Sequence, residues 1–505
     1  MKRRTLYLEL KILFVFLLDS LVELRKMRGE ESHEGEAVMS NMTSEYYGDE
    51  VLHVEPHGIE PISQSERHGK PRSLFTLWFS ANLEFATLTV GVLSVGLFGM
   101  SLSQAFWAIA IGTILGAVVV GLLTTFGYRW GVPQLVQSRG AFGFYGNFLP
   151  SIINFAAGVG WYAVNTVLGV YALQWLLPIG FLPNLLIMIV LQAAVSIYGH
   201  NMIHWIEKVS ALILAAVFLI VTFYAFGHIN LNIAENVKAP LFSGTVGSFI
   251  LSIGASLSYI MGWMTYSSDY SRYLPKGTKG SSAFWAAFLG NTIPCIWLEL
   301  LGAALASVKS IAVPTDLVSG LMPHALVVIT MLAIILGTIT ANVLNIYSGS
   351  LSLLAIDTQW LKAIAPKRWI VTLFIGILGG ILSYIGGRSG YYTNYSNFLY
   401  VLSYWVSPWV AVILMDYLLY RRSDDNVDSF YSKQRALGAG LWSFILGFLA
   451  SVPFFNQAMY VGFIAAKYPH IGDISYYVSF VVAAILYGLF STIGRSTAKA
   501  GASVA

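Results

Sequence analysis

Of 505 residues, only one is a cysteine, Cys295, and only 11% are charged. A single cysteine, set in an apolar run, excludes an internal disulfide and any thiolate metal cluster. So little charge, beside 56% hydrophobic residues and a mean hydropathy of +0.67, excludes a soluble enzyme. Also missing is the apolar–polar alternation of a transmembrane β-barrel. Ile109 to Leu123 and Ala211 to Val221 run without a charge, so the membrane segments must be helices, whose backbone polar groups are satisfied internally. A net charge of +4 is informative only through where it sits.

Thirteen of the 25 acidic residues fall in residues 1–73, which read as a polar, disordered cytoplasmic tail. Leu6 to Leu24 is apolar but interrupted by Glu9, Lys11, Asp19 and Glu23, too charged to span and open to an interfacial amphipathic helix. Met27, Met39 and Met42 are alternative starts, and no small-residue cleavage pattern marks a signal peptide.

Apolar runs of membrane-crossing length fall at 76–99, 104–126, 144–174, 181–199, 205–227, 244–273, 282–308, 322–355, 369–386, 395–420, 436–456 and 473–494. With both termini inside, cytoplasmic loops carry 15 Lys and Arg and outer loops four: Lys238, Lys309, Arg388 and Lys467. That bias predicts a multi-pass protein of the cell membrane with two cytoplasmic termini. The organisation expected is the tail (1–73), a first five-helix set (74–228), a second (229–422), and two further helices with a short carboxy terminus (423–505).

The first and sixth runs read poorly as uniform helices. The first places Asn82 and Glu84 near mid-depth, and the sixth, Gly254 to Asp269, is thick with small and hydroxyl residues. Discontinuous helices at matching places in two halves are what an inverted-repeat transporter requires. The alternative is ordinary helices with small residues for close packing.

Glu84 and Glu299 stand out as carboxylates well inside a run. A charge at mid-bilayer costs about 2.5–3.5 kcal/mol on the lenient insertion scale. Each is therefore either a proton carrier or a neutral carboxyl bonded to a neighbouring helix. In the third run Trp161 and Asn165 are four apart and share a helix face. An indole plane and a carboxamide suit a small planar heterocycle, because aromatic stacking on a base contributes about 1–3 kcal/mol and an amide can pair two ring-edge atoms. The eighth run adds Asn342 and Asn345 on one face, and the sixth adds Tyr259 and Trp263. His200, His204 and His324 lie at ends or loops, where solvated histidines are the default. No paired-histidine, paired-carboxylate or filter-like pattern points to a membrane enzyme or a channel.

At these residues the chain resembles the nucleobase:cation symporter family, the permeases for cytosine, purines, uracil, allantoin, thiamine and hydantoins. The resemblance rests on Gly58-Ile-Glu-Pro61 with Glu66-Arg67, Trp78-Phe-Ser-Ala-Asn82, Pro133 to Gly143, Gly160-Trp-Tyr-Ala-Val-Asn165, Ser268-Asp-Tyr-Ser-Arg-Tyr273, Asn345-Ile-Tyr-Ser348 and Trp409 to Tyr417, seven motifs in series. It implies an all-α protein of 12 transmembrane helices, a LeuT-type five-plus-five inverted repeat with two carboxy-terminal helices, and alternating access. Carried over by motif, Trp161 stacks on the substrate, Asn165 and Asn345 bond its edge with Asn342 beside them, and Trp263 is the opposing aromatic, a role for which Tyr259 competes. Ala86 and Thr87 line the pocket. Sodium-dependent members hold the ion with first-span carbonyls, here Asn82 and Phe85, and eighth-span hydroxyls, here Thr338 and Thr340. Those two hydroxyls lie about 200° apart around a regular helix, which favours a proton carried by Glu84 over sodium. The partners expected are the bilayer and the heterocycle, with no nucleic acid, obligate protein partner or cofactor. A sodium-coupled amino-acid symporter of the same fold is the alternative.

Overall fold

The computed structural model describes residues 57–196, 200–235, 244–308, 314–357, 361, 368–388 and 390–502. The possible helix at Leu6 to Leu24 and the alternative starts lie outside the described residues. Helices occupy each apolar run: α1 (Pro71–Ala81) and α2 (Phe85–Val92), α3 (Leu102–Trp130), α4 (Phe148–Leu176), α5 (Phe181–Ser196), α6 (His200–Phe226), α7 (Gly244–Met264) with the short α8 (Ser267–Ser271), α9 (Gly280–Ala306), α10 (His324–Leu354), α11 (Arg368–Gly386), α12 (Tyr391–Asp416), α13 (Ala439–Ser451) and α14 (Ser475–Ala502). Among the described residues nine helices are long and apolar enough to cross a membrane, and ten if α1 and α2 count as one bent span. Phe181–Ser196 and Ala439–Phe454 are apolar but shorter. The non-helical exception in this stretch is a two-residue antiparallel ladder, Asn456–Gln457 with Tyr460–Val461, between α13 and α14.

Local chemistry sets the ends. Ser101 and Gln104 form a reciprocal capping box at the start of α3, and Gly131, at φ 71°, closes its end in the left-handed conformation. Leu212, Phe223 and Ile385 point outward with most of their surface exposed, as the lipid-facing side of a membrane bundle must. The interior is close-packed through glycine. A Cβ on Gly91 of α2 would lie 1.7 Å from the Glu299 carbonyl of α9, and one on Gly302 of α9 1.8 Å from the Leu88 carbonyl of α2. The two backbones therefore touch without side chains between them.

Residues 57–73, which composition assigns to the tail, are tied to the helices. Arg67 donates to the Ile62 carbonyl (3.0 Å) and the Tyr128 carbonyl (2.7 Å), and Arg272 donates to the Gly58 carbonyl (2.7 Å). The Gln134 amide donates to Asp269 (2.9 Å). Buried arginines need several acceptors, and backbone carbonyls of loop and helix-end segments supply them. That is why the Gly58, Glu66-Arg67, Pro133 and Ser268 motifs, dispersed in sequence, meet at one end of the bundle.

Candidate substrate and cation site

The break between α1 and α2 organises the site. Ala81 ends α1, Glu84 is extended (φ −128°, ψ 164°), and the two halves meet at 58°. Asn82 pins the break: its amide donates to the Trp78 carbonyl (2.7 Å) and to Asn291 of α9 (3.0 Å), and its oxygen accepts from the Trp263 indole of α7 (2.8 Å). Its side chain is fully employed. The Asn82 carbonyl accepts from the Thr87 hydroxyl (2.7 Å) and that of Phe85 from Thr89 (2.8 Å). Thr87 also meets the Tyr259 hydroxyl at 2.6 Å, which in turn lies 3.0 Å from Glu84 Oε1. The second Glu84 oxygen is buried without a partner.

Facing this break is a cluster of amides between α4 and α10. Asn342 donates to the Tyr162 carbonyl (3.0 Å) and to Thr166 (3.1 Å), and its single oxygen accepts from both Asn165 (3.3 Å) and Asn345 (3.2 Å). Asn342 is thus a positioning amide, and the two it holds keep buried, unpaired oxygens. Trp161, one turn before Asn165, has a buried indole N–H that is also unpaired. Three rings grip that indole edge-on: Tyr259 at 5.5 Å, Phe398 at 5.1 Å and Tyr395 at 6.2 Å. Each unpaired buried group costs about 1–3 kcal/mol, so one donor and two acceptors presented by α4 and α10 are groups that a polar ring edge would stabilise.

Of the residues singled out from sequence, Asn165, Asn342 and Asn345 come together on the α4–α10 seam, while Trp161, one turn earlier on α4, is held by rings of α7 and α12. Trp263 sits instead against α1, 5.6 Å from Trp78 and bonded to Asn82, while Tyr259 reaches Glu84, Thr87 and the Trp161 ring. Ala86 is buried beside α12, its carbonyl accepting from Tyr395 (3.3 Å). Thr338 and Thr340 do not converge. Each bonds a carbonyl of its own helix, Ile335 and Gly337 respectively, and Thr338 abuts Gly169 of α4, where a Cβ would lie 2.7 Å from its hydroxyl. Thr338, Asn342 and Asn345 are spaced i, i+4, i+7, one helical stripe, whereas the residue facing Glu84 is Gly337.

The sixth run breaks at Thr265–Tyr266, between α7 and α8. Gly254 and Gly262 serve contact: a Cβ would fall 2.7 Å from the Tyr476 hydroxyl and 2.6 Å from Trp161 Nε1. Gly262→Ala must therefore push the gripped indole. The expected result is a KM for uptake raised about tenfold, roughly 1.4 kcal/mol, with the folded protein retained on size exclusion. An unchanged KM would mean the indole is free to yield.

Tyr395 and Phe398 escaped sequence reading, although Tyr391, Tyr395 and Phe398 recur at i, i+4, i+7. Glu207 also escaped: it lies near the start of α6 in sequence, yet is 1% exposed.

The family described as permeases for cytosine/purines, uracil, thiamine and allantoin matches residues 61–482. YxlA of Bacillus subtilis is 30% identical over 451 residues, 86% of this chain and 95% of that protein. The purine-cytosine permease FCY21 of Saccharomyces cerevisiae is 28% identical over 463 residues, covering 87% and 86%. Among solved structures, Mhp1, a nucleobase-cation-symport-1 family transporter in a closed conformation with bromovinylhydantoin bound, superposes with a TM-score of 0.72 at 18% identity, over 88% of this chain and 96% of that one. At that identity the likeness concerns the fold.

Proposed function

We propose, from the premise that this chain belongs to the permease family for cytosine, purines, uracil, thiamine and allantoin, that it imports a nucleobase or related planar N-heterocycle by cation symport through alternating access. The observation that carries this reading is the trio of buried, unpaired polar atoms, Trp161 Nε1, Asn165 Oδ1 and Asn345 Oδ1. A lactam or amidine edge presents donors and acceptors side by side, which is the complement of that trio. Trp161 would stack on the ring, Asn165 and Asn345 would bond its edge, and Asn342 would hold both amides in place. Trp263, Tyr259, Ala86 and Thr87 would close the side formed by the break.

The cation we assign is a proton on Glu84. Three contacts, between Thr87 and the Asn82 carbonyl, between Thr87 and Tyr259 and between Tyr259 and Glu84, each need one proton. The two hydroxyls supply two, and a Glu84 carboxyl proton supplies the third. The separated directions of Thr338 and Thr340 count against a sodium site built from Asn82, Phe85 and those hydroxyls. An amino-acid cargo fits less well, because its carboxylate would meet the Glu84 carboxyl and two amide oxygens. The architecture that goes with this function is twelve segments: a five-helix set over 74–228, an inverted set over 229–422, and two helices within 423–505. Both termini would be cytoplasmic, an orientation supported by the 15-to-four bias in loop charge.

The test is uptake by purified protein in proteoliposomes. Saturable accumulation of at least one of cytosine, uracil, adenine, hypoxanthine or allantoin is expected under an imposed pH gradient without sodium. Glu84→Gln is expected to abolish accumulation against a gradient. Strict sodium dependence at constant pH would overturn the proton assignment, and no uptake of any of these rings would overturn the substrate class.

A further inference from the structure

The substrate site leaves one buried carboxyl unused. Glu207 is 1% exposed and belongs to neither the amide cluster nor the break. Its carboxyl is deeply buried beside the hydroxyl of Ser80, its neighbour across the α1–α6 seam. The electrostatic influence of Glu207 reaches Glu84. Ser80 precedes Glu84 by four residues, so Glu207 lies beside α1 on the near side of the break. Three residues before Glu207, and so on the same side of α6, is His204, which interacts electrostatically with His68 of the segment leading into Pro71. His68 is half-buried.

The order along the seam is therefore Glu84, Glu207, His204 and His68, from the middle of the bundle to its end. Glu207 lies 7 residues from the first residue of α6, about 10 Å at 1.5 Å per residue, which leaves a short distance to the aqueous side. Glu299 does not belong to this row. It lies beyond the break, where it accepts from Ser256 (2.5 Å) and its backbone packs on Gly91. A carboxyl buried where only a few polar neighbours reach it is costly to stability. A function as a proton relay is what such a placement serves.

We propose that Glu207 is the proton-release group of this transporter, passing the proton carried by Glu84 along the α1–α6 seam to His204 and His68. The reading rests on the proton-coupled function above. In sequence, Glu207 gives its own proton outward to His204, and the carboxylate left behind takes the proton from Glu84. His68 or water then takes the one on His204, for a net transfer of one proton from Glu84 to bulk solvent. The titratable groups around this path are Glu84 at the break, His204 on α6, His68 before α1, and Tyr270 of α8, 6.5 Å from the His204 ring. Tyr347 of α10 stands behind Tyr270 at 5.5 Å, and α9 meets α6 through the Trp297–Thr222 hydrogen bond (3.0 Å). Lys208 is exposed.

The test separates proton release from substrate handling. Exchange of labelled for unlabelled substrate across proteoliposomes at equal pH moves the loaded carrier back and forth and needs no net release, whereas pH-driven accumulation needs one release per cycle. Glu207→Gln is expected to keep exchange within about twofold of the parent protein while pH-driven accumulation and substrate-induced alkalinisation of the outside medium fall at least tenfold. Glu207→Asp is expected to restore part of both. Net accumulation by Glu207→Gln at the parent rate would overturn the proposal. So would equal loss of exchange and accumulation in both variants, which would make Glu207 structural. A parent protein with no proton movement would instead overturn the coupling reading, and that is seen before any variant is made.

Discussion

Replacing Trp161 with alanine is expected to eliminate measurable heterocycle uptake while leaving a folded protein. The substitution removes the stacking surface, about 1–3 kcal/mol per ring, and the unpaired indole N–H, whose bond to a ring acceptor would contribute about 1 kcal/mol more. Together these correspond to a loss of roughly 30-fold to 1,000-fold in affinity. Asn165→Ala is expected to fall in the same range for a different reason: it deletes one edge contact and leaves the Asn342 oxygen holding Asn345 alone, so the second amide loses definition. Trp161→Phe, which keeps a stacking plane but no N–H, should recover part of the loss. Radiolabelled uptake with thermal-shift controls measures all three. Unchanged uptake in both alanine variants would remove Trp161 and Asn165 from the binding site.

Gly91→Val and Gly302→Val are expected to be the most damaging substitutions away from the polar groups. Their Cβ atoms would lie 1.7 and 1.8 Å from backbone carbonyls of the facing helix, and backbone, unlike a flexible side chain, cannot step aside. The α2–α9 contact must open along its length, with a cost of 3 kcal/mol or more, on the order of a large overpacking defect. Purified protein should show a Tm lowered by about 5 °C or more, or no monodisperse peak at all. Gly277→Val, at a position where a Cβ would meet nothing within 4 Å, is the control that should behave like the parent. Equal behaviour of all three variants would mean that α2 and α9 do not touch as described.

Much of this was legible from residue order. Helices occupy each apolar run, and the pairing of Trp161 with Asn165 follows from a spacing of four. The sixth run, read as non-uniform over Gly254 to Asp269, turns within that stretch at Thr265–Tyr266; Gly254 and Gly262 are small because Tyr476 and Trp161 press against them. Trp263 and Tyr259 were interchangeable on paper. In the fold one is tied to Asn82 and the other to Glu84 and Thr87, because the two rings stand four residues, about one turn, apart on α7 and each meets the partner at its own height. The polar reading of residues up to 73 gave no sign that Arg67 would donate to the Tyr128 carbonyl of α3.

Hydropathy and short-range spacing are properties of neighbouring residues, and a bilayer enforces them locally by leaving no solvent for an unpaired backbone group. Helix positions, the family and the faces of α4 and α10 could therefore be read from residue order. Which polar atoms remain unpaired is a difference between what a side chain offers and what distant helices satisfy. The Asn342 bonds to Tyr162, Thr166 and Asn165 span 176 to 180 residues, and the Trp263 bond to Asn82 spans 181. Asn342 has its amide and its oxygen taken up by Tyr162, Thr166, Asn165 and Asn345, and Glu207, which drew no attention in the sequence, is buried. Those outcomes were settled by packing, because satisfaction of a hydrogen bond depends on three-dimensional neighbours that no local pattern encodes.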